Sequence, residues 1–141
     1  MPTITARLAP TAKPQALSLW LKAGGSRVLE VPDYDVPKVG FDSGRTIEPG
    51  VIEISSPMLV CNTGAEPQQV TLKILRANGS FTFICKDYSV LPNDTVLIPV
   101  QGQFLLTGDA LEVSASVDDV LHSTVSFTVG QAESEILEGD V

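Results

Sequence analysis

Few side chains in this 141-residue chain could support catalysis or bind a metal. The chain has one histidine, His122, in the strand-like stretch VLHSTVSF, and two cysteines, Cys61 and Cys85. A serine or cysteine nucleophile usually needs a histidine base, and zinc sites usually show closely spaced ligand pairs such as C-x-x-C. We therefore predict no catalytic residues and no metal site. We expect both cysteines to be buried free thiols, while a disulfide between them stays geometrically conceivable.

Carboxylates are more numerous, and one of them follows a glycine in the apolar stretch LLTGDALEVSAS (105–116). Clustered carboxylates can act as an acid/base pair or hold calcium. The aspartates to be weighed for such a role are Asp87, Asp94, Asp109, Asp118 and Asp119. Aspartate is also a common turn residue, and EF-hand, P-loop and dinucleotide-binding patterns are missing. We therefore predict no cofactor and a structural turn, in which Gly108 supplies an unusual backbone angle and Asp109 caps the next strand.

From residue 50 onward the sequence alternates apolar and polar residues in short runs separated by Gly, Pro, Asn and Asp, the pattern of six or seven β-strands. Asn78-Gly79 predicts a hairpin with a type I′ turn. Pro99 places the run 95–106 at a sheet edge or in a bulged strand. The fold class predicted is all-β: an antiparallel β-sandwich, Ig-like or a jelly-roll-like Greek key, with an extended N-terminal arm.

Three regions follow from this pattern: an extended arm over 1–45, the sandwich over 46–130 and an acidic tail over 131–141. Within the arm, ALSLWLK and RVLEV predict a small hairpin, with a short helix over 15–23 as the alternative. The arm should pack on the sandwich or on another subunit, and its deletion should leave a folded monomer. The predicted subunit-interface residues are Leu17, Leu19, Trp20, Leu21, Tyr34 and Phe41.

The net charge of −8 argues against direct nucleic-acid binding, which depends on Lys and Arg. Residues 1–45 carry six basic and four acidic side chains, whereas residues 46–130 carry three and nine. No apolar segment is long enough for a signal peptide or a membrane span, so we expect no membrane partner and synthesis in the cytoplasm.

Residues 58–129 resemble small virion proteins of tailed bacteriophages. The matching pieces are NTG at 62–64, LPND at 91–94, LLTGDAL at 105–111 and VSF at 125–127. Asn93 stands where a glycine is usual after Leu-Pro in that family. The resemblance implies a β-sandwich and a non-enzymatic structural role on the capsid, at the neck or in the tail.

The function expected is therefore that of a virion component that assembles with itself and with capsid, portal/neck or tail proteins. The alternative is a receptor- or glycan-binding module, for which Trp20, Tyr34 and Tyr88 are the candidate aromatic residues. An enzyme ranks third. The expected location is the virion.

Overall fold

Two antiparallel β-sheets form the part of the chain that the computed structural model describes, which is residues 13–31, 38–39 and 51–130. These residues contain strands and turns and no helix. The first sheet contains β1 (Lys13–Trp20), β4 (Val51–Ile54), β5 (Met58–Asn62), β8 (Thr95–Ile98), β9 (Phe104–Leu105) and β11 (Leu121–Gly130). The second contains β2 (Ser26–Glu30), β3 (Lys38–Val39), β6 (Gln68–Leu75), β7 (Phe81–Val90) and β10 (Ala110–Ala115).

Strand β11 lies at the centre of the first sheet and pairs along one side with the whole of β1. Its other side pairs with β5 and then with β4, which are parts of one long strand interrupted around Pro57. On their outer side, β5 pairs with β8 and β4 pairs with β9. The strand at this edge of the sheet is therefore also divided into two parts, β8 and β9. The sequence-based prediction of an edge or bulged strand at 95–106 is confirmed.

The second sheet has the order β3, β2, β10, β6, β7. Its pairings and those of the first sheet are nested: β1 pairs with β11, β2 with β10, β4 and β5 with β9 and β8, and β6 with β7. The chain is thus one long antiparallel ribbon whose tip is the turn between β6 and β7, rolled into two facing sheets. This nesting is the jelly-roll arrangement, so of the two predicted Greek-key sandwiches the jelly roll is the one that forms.

The core lies between the sheets and is built from the apolar residues of each alternating strand. In β11 every second residue is buried, from Leu121 to Val129, and Phe127 is fully enclosed. The neighbouring strands contribute side chains of the same kind, among them Ile52, Ile54, Leu72, Ile74, Leu105 and Leu111.

The hairpin predicted for ALSLWLK and RVLEV is wrong, and so is the helix considered as its alternative. The two segments are the strands β1 and β2, which lie in different sheets and pair with β11 and β10. Leu21, Val28, Leu29 and Val31 are at most 1% exposed and belong to the core. The two sheets bury this apolar surface between them, which an isolated hairpin could not do. Tertiary packing therefore overrode the local signal for a hairpin.

The hairpin between β6 and β7 forms, but its turn is not of type I′. Gly79 has a φ of +92°, while Asn78 is outside the positive-φ region that a type I′ turn requires at both central residues. Gly79 N donates to Arg76 O and Arg76 N to Ser80 O, the pattern of a three-residue loop in which glycine follows a type I turn. Asn78 instead uses its side-chain oxygen to accept hydrogen bonds from the backbone N and Oγ of Ser80.

Candidate functional site

The Gly108-Asp109 pair forms a turn between β9 and β10 at one end of the sandwich. Asp109 N donates to Leu106 O at 2.8 Å, which closes a β-turn, and Gly108 occupies its third position with a φ of +90°. A positive φ at this position is typical of a type II turn and favours glycine. Asp109 O also accepts a hydrogen bond from Val31 N at 3.0 Å, which joins the turn to the end of β2.

The carboxylate of Asp109 is almost completely buried and each of its oxygens is engaged. Oδ2 accepts hydrogen bonds from Leu106 N at 2.9 Å and from Arg76 Nη1 at 2.9 Å. Oδ1 accepts one from Ala77 N at 3.0 Å. Because Arg76 and Ala77 belong to the β6–β7 hairpin, Asp109 fastens the tip of the ribbon to the β9–β10 turn.

Arg76 completes this corner and was not identified from the sequence. Its Nη1 also donates to Phe104 O at 2.8 Å, and its Nη2 to Gln103 Oε1 at 3.3 Å. The only sequence signal was a basic residue directly before a hairpin loop, which does not specify a partner 33 residues away. These hydrogen bonds join the β6–β7 hairpin to Gln103, to β9 and to the β9–β10 turn, which is the geometry of a structural clamp.

Substituting Gly108 with valine is expected to destabilise the fold by about 2 kcal/mol, since a β-branched residue resists a positive φ. Chemical denaturation of the purified variant measures this directly. Gly130 lies at the end of β11 and is not among the positive-φ glycines, so Gly130→Val is the matched control. A Gly108→Val variant as stable as that control would show that the turn does not depend on glycine.

A second buried polar corner is formed by Asn62 at the other end of the sandwich. Asn62 is fully buried, and its Nδ2 donates to Glu66 O at 2.8 Å and to Val90 O at 2.9 Å. Its Oδ1 accepts a hydrogen bond from Gly64 N at 2.9 Å. A Cβ atom on Gly64 would lie 2.9 Å from Val120 Cγ1, closer than real Cβ contacts come. The Asn-x-Gly motif therefore serves side-chain hydrogen bonding at Asn62 and close packing at Gly64.

The LPND segment closes the same corner through its backbone. Asn93 N donates to Asn62 O at 2.9 Å and Asn62 N donates to Asp94 O at 2.9 Å. Asn93 has a φ of +59°, a left-handed conformation that asparagine tolerates better than most residues. Asn93 thus adopts a backbone conformation that glycine reaches most easily.

Replacing Asn62 with aspartate should destabilise the protein by about 2–3 kcal/mol at neutral pH. The side chain keeps its shape, but its second oxygen cannot donate to the carbonyls of Glu66 and Val90. Thermal and urea unfolding measure the loss, and Gln69→Glu on the exposed side of β6 provides an amide-to-carboxylate control with an expected effect within about 0.5 kcal/mol. Equal stability of the two variants would contradict a structural role for the Asn62 amide.

Of the other aspartates that the structure describes, Asp94, Asp118 and Asp119 lie in or beside turns, whereas Asp87, with a φ of +51°, lies within β7. Asp118 Oδ1 accepts a hydrogen bond from Ala23 N at 2.8 Å, and Asp119, with a φ of +60°, accepts one from Lys22 Nζ at 2.7 Å. This hydrogen bond raises the pKa of Lys22. Asp94 Oδ1 accepts from its neighbour Thr95 N, and Asp87 N donates to the Thr71 hydroxyl. Within the described ranges, no three histidine, cysteine or carboxylate side chains gather into a metal-binding group.

The two thiols are free and lie on strands of different sheets, Cys61 on β5 and Cys85 on β7. Both are half-buried rather than fully buried. Burial raises the pKa of the Cys85 thiol, which keeps it protonated. Cys61 lies directly opposite His122 in the pairing of β5 with β11, and the His122 ring contacts Trp20 edge-on at a centroid distance of 4.8 Å.

The predicted interface residues have three different locations. Leu21 is 1% exposed and lies in the core, so its assignment to a subunit interface is wrong. Leu17 and Leu19 are half-buried against the same core, whereas Trp20 points to the other side of β1 and is 44% exposed. Tyr34 and Phe41 lie outside the described residues.

The outer face of the first sheet, as we define it, consists of the outward-pointing residues of β1, β11, β5 and β8. They include Ala16, Ser18, Trp20, Leu59, Cys61, Thr95, Leu97, His122, Thr124 and Ser126. None of these side chains carries a fixed charge. Leu59 and Leu97 lie opposite each other and are 41% and 60% exposed. Neither leucine was predicted from the sequence as a surface residue, because alternation alone does not tell which apolar residue of a strand faces outward.

The outer face of the second sheet is charged. Lys73 forms an ion pair with Glu112 at 3.3 Å, and its Nζ lies 4.8 Å from the ring centroid of Phe81. Phe81 in turn contacts Phe83 edge-on at a centroid distance of 5.3 Å. The two aromatic rings are thus about half exposed, and the ammonium group of Lys73 already lies over both of them.

No protein-family model matches the chain, and no curated protein matches it. Among solved structures it is similar to one described as the structure of infectious bursal disease virus Gt strain, with 8% sequence identity and a TM-score of 0.36. The match covers 91% of this chain, which spans 36% of that longer chain. No helical segment in the described part has the length and hydropathy needed to cross a membrane.

Proposed function

We propose that the chain is a non-enzymatic structural component of a tailed-bacteriophage particle, placed on the capsid, at the neck or in the tail, and acting through protein–protein contacts. The observation that carries this proposal is the distribution of polar and apolar groups. The buried polar side chains Asp109 and Asn62 are occupied by structural hydrogen bonds, while large apolar side chains lie exposed on the outer surface. Such exposed apolar surface on a small folded domain is typical of interaction sites.

Two further features support the proposal. The resemblance to tailed-phage virion proteins covers the strands from Met58 to Val129, and the jelly roll is an architecture used in viral capsids. Three of the four motif pieces of that resemblance, NTG, LPND and LLTGDAL, contribute residues to the two buried polar corners. In this proposal the protein is made in the host cytoplasm, becomes part of the virion, and binds neither nucleic acid nor membrane directly.

The test is the composition of purified particles. Phage particles banded by density should contain the chain in a fixed ratio to the major capsid protein, measured by quantitative mass spectrometry. Their electron-microscopy density should contain the two-sheet sandwich. Particles that lack the chain would contradict the proposal.

The terminal segments provide the second test, since we propose that they fasten the sandwich to neighbouring subunits. Variants that lack residues 1–12 or residues 131–141 keep every strand from β1 to β11 and should unfold cooperatively like the full chain. We expect them to be lost from particles. Unchanged incorporation of both variants would contradict the role proposed for these segments.

A receptor- or glycan-binding module is the second candidate, favoured by the exposure of Trp20 beside the hydroxyls of Ser18 and Thr124. The two hydroxyl oxygens lie 3.1 Å apart, so an aromatic ring and polar groups share one surface, as sugar ligands require. Glycan-array or cell-binding signal that disappears in Trp20→Ala or Tyr88→Ala would support this function. A structural role alone predicts no such signal.

A further inference from the structure

The exposed apolar side chains Trp20, Leu59 and Leu97 of the first sheet are joined into one surface by the partly buried His122 and Cys61. Across the strands, Trp20 lies opposite His122, which lies opposite Cys61. In the adjacent row of the sheet, Leu59 lies opposite Leu97. Directly opposed residues have Cβ atoms about 5 Å apart, so these five side chains are contiguous across four strands.

This surface is uncharged in a protein whose net charge is −8. Among the described residues that point outward from β1, β4, β5, β8 and β11, Glu53 is the one with a fixed charge. It lies opposite Thr128 at the far end of β11. The outer face of the second sheet carries Lys73 and Glu112 in an ion pair. Two copies of an acidic chain repel each other least through a surface without charges, whereas a partner selected by electrostatics would need charges there.

We propose that two copies of this chain associate through the outer faces of their first sheets, with Trp20, Leu59 and Leu97 as the main apolar contacts. The contact is a sheet-on-sheet packing, in which side chains of two facing sheets interdigitate about 10 Å apart. A two-fold axis presents the same uncharged surface from both copies, and this makes the surface self-complementary. The proposal deepens the structural function proposed above and rests on it.

The size of the face fits a reversible dimer. With eight residues in β1, ten in β11, five in β5 and four in β8, at about 3.3 Å per residue and about 4.8 Å between strands, the face covers roughly 400 Å² per copy. Two copies would thus bury on the order of 800 Å², a size typical of weak, transient contacts. We therefore expect an equilibrium between monomer and dimer that depends on protein concentration.

Analytical ultracentrifugation of the full chain over micromolar to millimolar concentrations tests this equilibrium. The 15.0 kDa chain should shift from monomer to dimer as its concentration rises. Leu97→Glu and Leu59→Glu should each weaken dimerisation at least tenfold, because they place a like charge on both copies in the contact. Phe81→Glu, at a side chain 51% exposed on the other sheet, is the matched control and should dimerise like the original chain.

Cys61 reports on the same contact without any substitution. Its alkylation by a small thiol reagent, followed by peptide mass spectrometry, should slow as the protein concentration enters the dimer range. Cys85, on the second sheet, is the internal reference and should react at a constant rate. In Leu97→Glu the rate at Cys61 should no longer depend on protein concentration.

A chain that stays monomeric at millimolar concentration would overturn the proposal, as would equal weakening by Phe81→Glu and Leu97→Glu. Glycan binding at Trp20 without dimerisation would also overturn it. Particle analysis separates this outcome from failure of the proposed function. If the chain is present in particles but monomeric in solution, only the self-association is wrong, whereas a chain missing from particles contradicts the function itself.

Discussion

A chain that lacks residues 1–45 is expected not to fold. The deletion removes β1 from the first sheet and both β2 and β3 from the second, together with the buried side chains of Leu21, Val28, Leu29 and Val31. Each large apolar side chain contributes roughly 1.5–3 kcal/mol when buried, and a whole domain is stable by only about 5–15 kcal/mol. The loss of these four residues, together with the pairings of β1 with β11 and of β2 with β10 and β3, therefore equals or exceeds the stability available.

Far-ultraviolet circular dichroism with thermal melting measures this result. The truncated chain should show no cooperative transition and should accumulate as insoluble protein. A deletion of residues 1–12 is the control, since it leaves both strands in place, and it should melt cooperatively. A soluble, cooperatively melting chain without residues 1–45 would show that the sandwich forms without these strands, as the sequence analysis expected.

Replacing Asp109 with alanine is expected to lower the free energy of unfolding by about 3 kcal/mol, equivalent to a decrease of roughly 10 °C in melting temperature. The substitution leaves Arg76 without its ion-pair partner and removes the acceptors of Leu106 N and Ala77 N. The side chain of Arg76 is 34% exposed, so water compensates part of the loss and the effect falls at the low end for a broken buried pair. Asp94→Ala is the control in an exposed turn, with an expected loss below about 1 kcal/mol.

A double-mutant cycle separates the ion pair from the backbone contacts of Asp109. Arg76→Met should be destabilising by itself, and the double variant with Asp109→Ala should lose less stability than the two single variants together. Strict additivity would contradict a direct Arg76–Asp109 interaction. If Asp109 instead took part in an enzymatic reaction, Asp109→Asn would abolish an activity while the fold was kept, an outcome that the structural clamp does not predict.

The sequence determined the elements more firmly than their partners. The alternation of Val125, Phe127 and Val129 with polar residues specified a strand with one buried face, because successive side chains of a strand point to opposite sides. The fold class, the hairpin at Gly79 and the edge position of β8 followed from the same local rules. Asparagine and aspartate in the loops indicated turns because their side chains bond to nearby backbone groups.

Pairing across the fold was decided only by the tertiary structure. Nothing local to ALSLWLK or RVLEV encodes that one joins β11 and the other β10, since any apolar strand face can be buried against any core. The same holds for Asp109 and Arg76, which form an ion pair only because the loop between β6 and β7 packs against the β9–β10 turn. The sequence thus determined which residues form strands and turns, while long-range packing decided which of them lie in the core, in the buried corners and on the uncharged outer face.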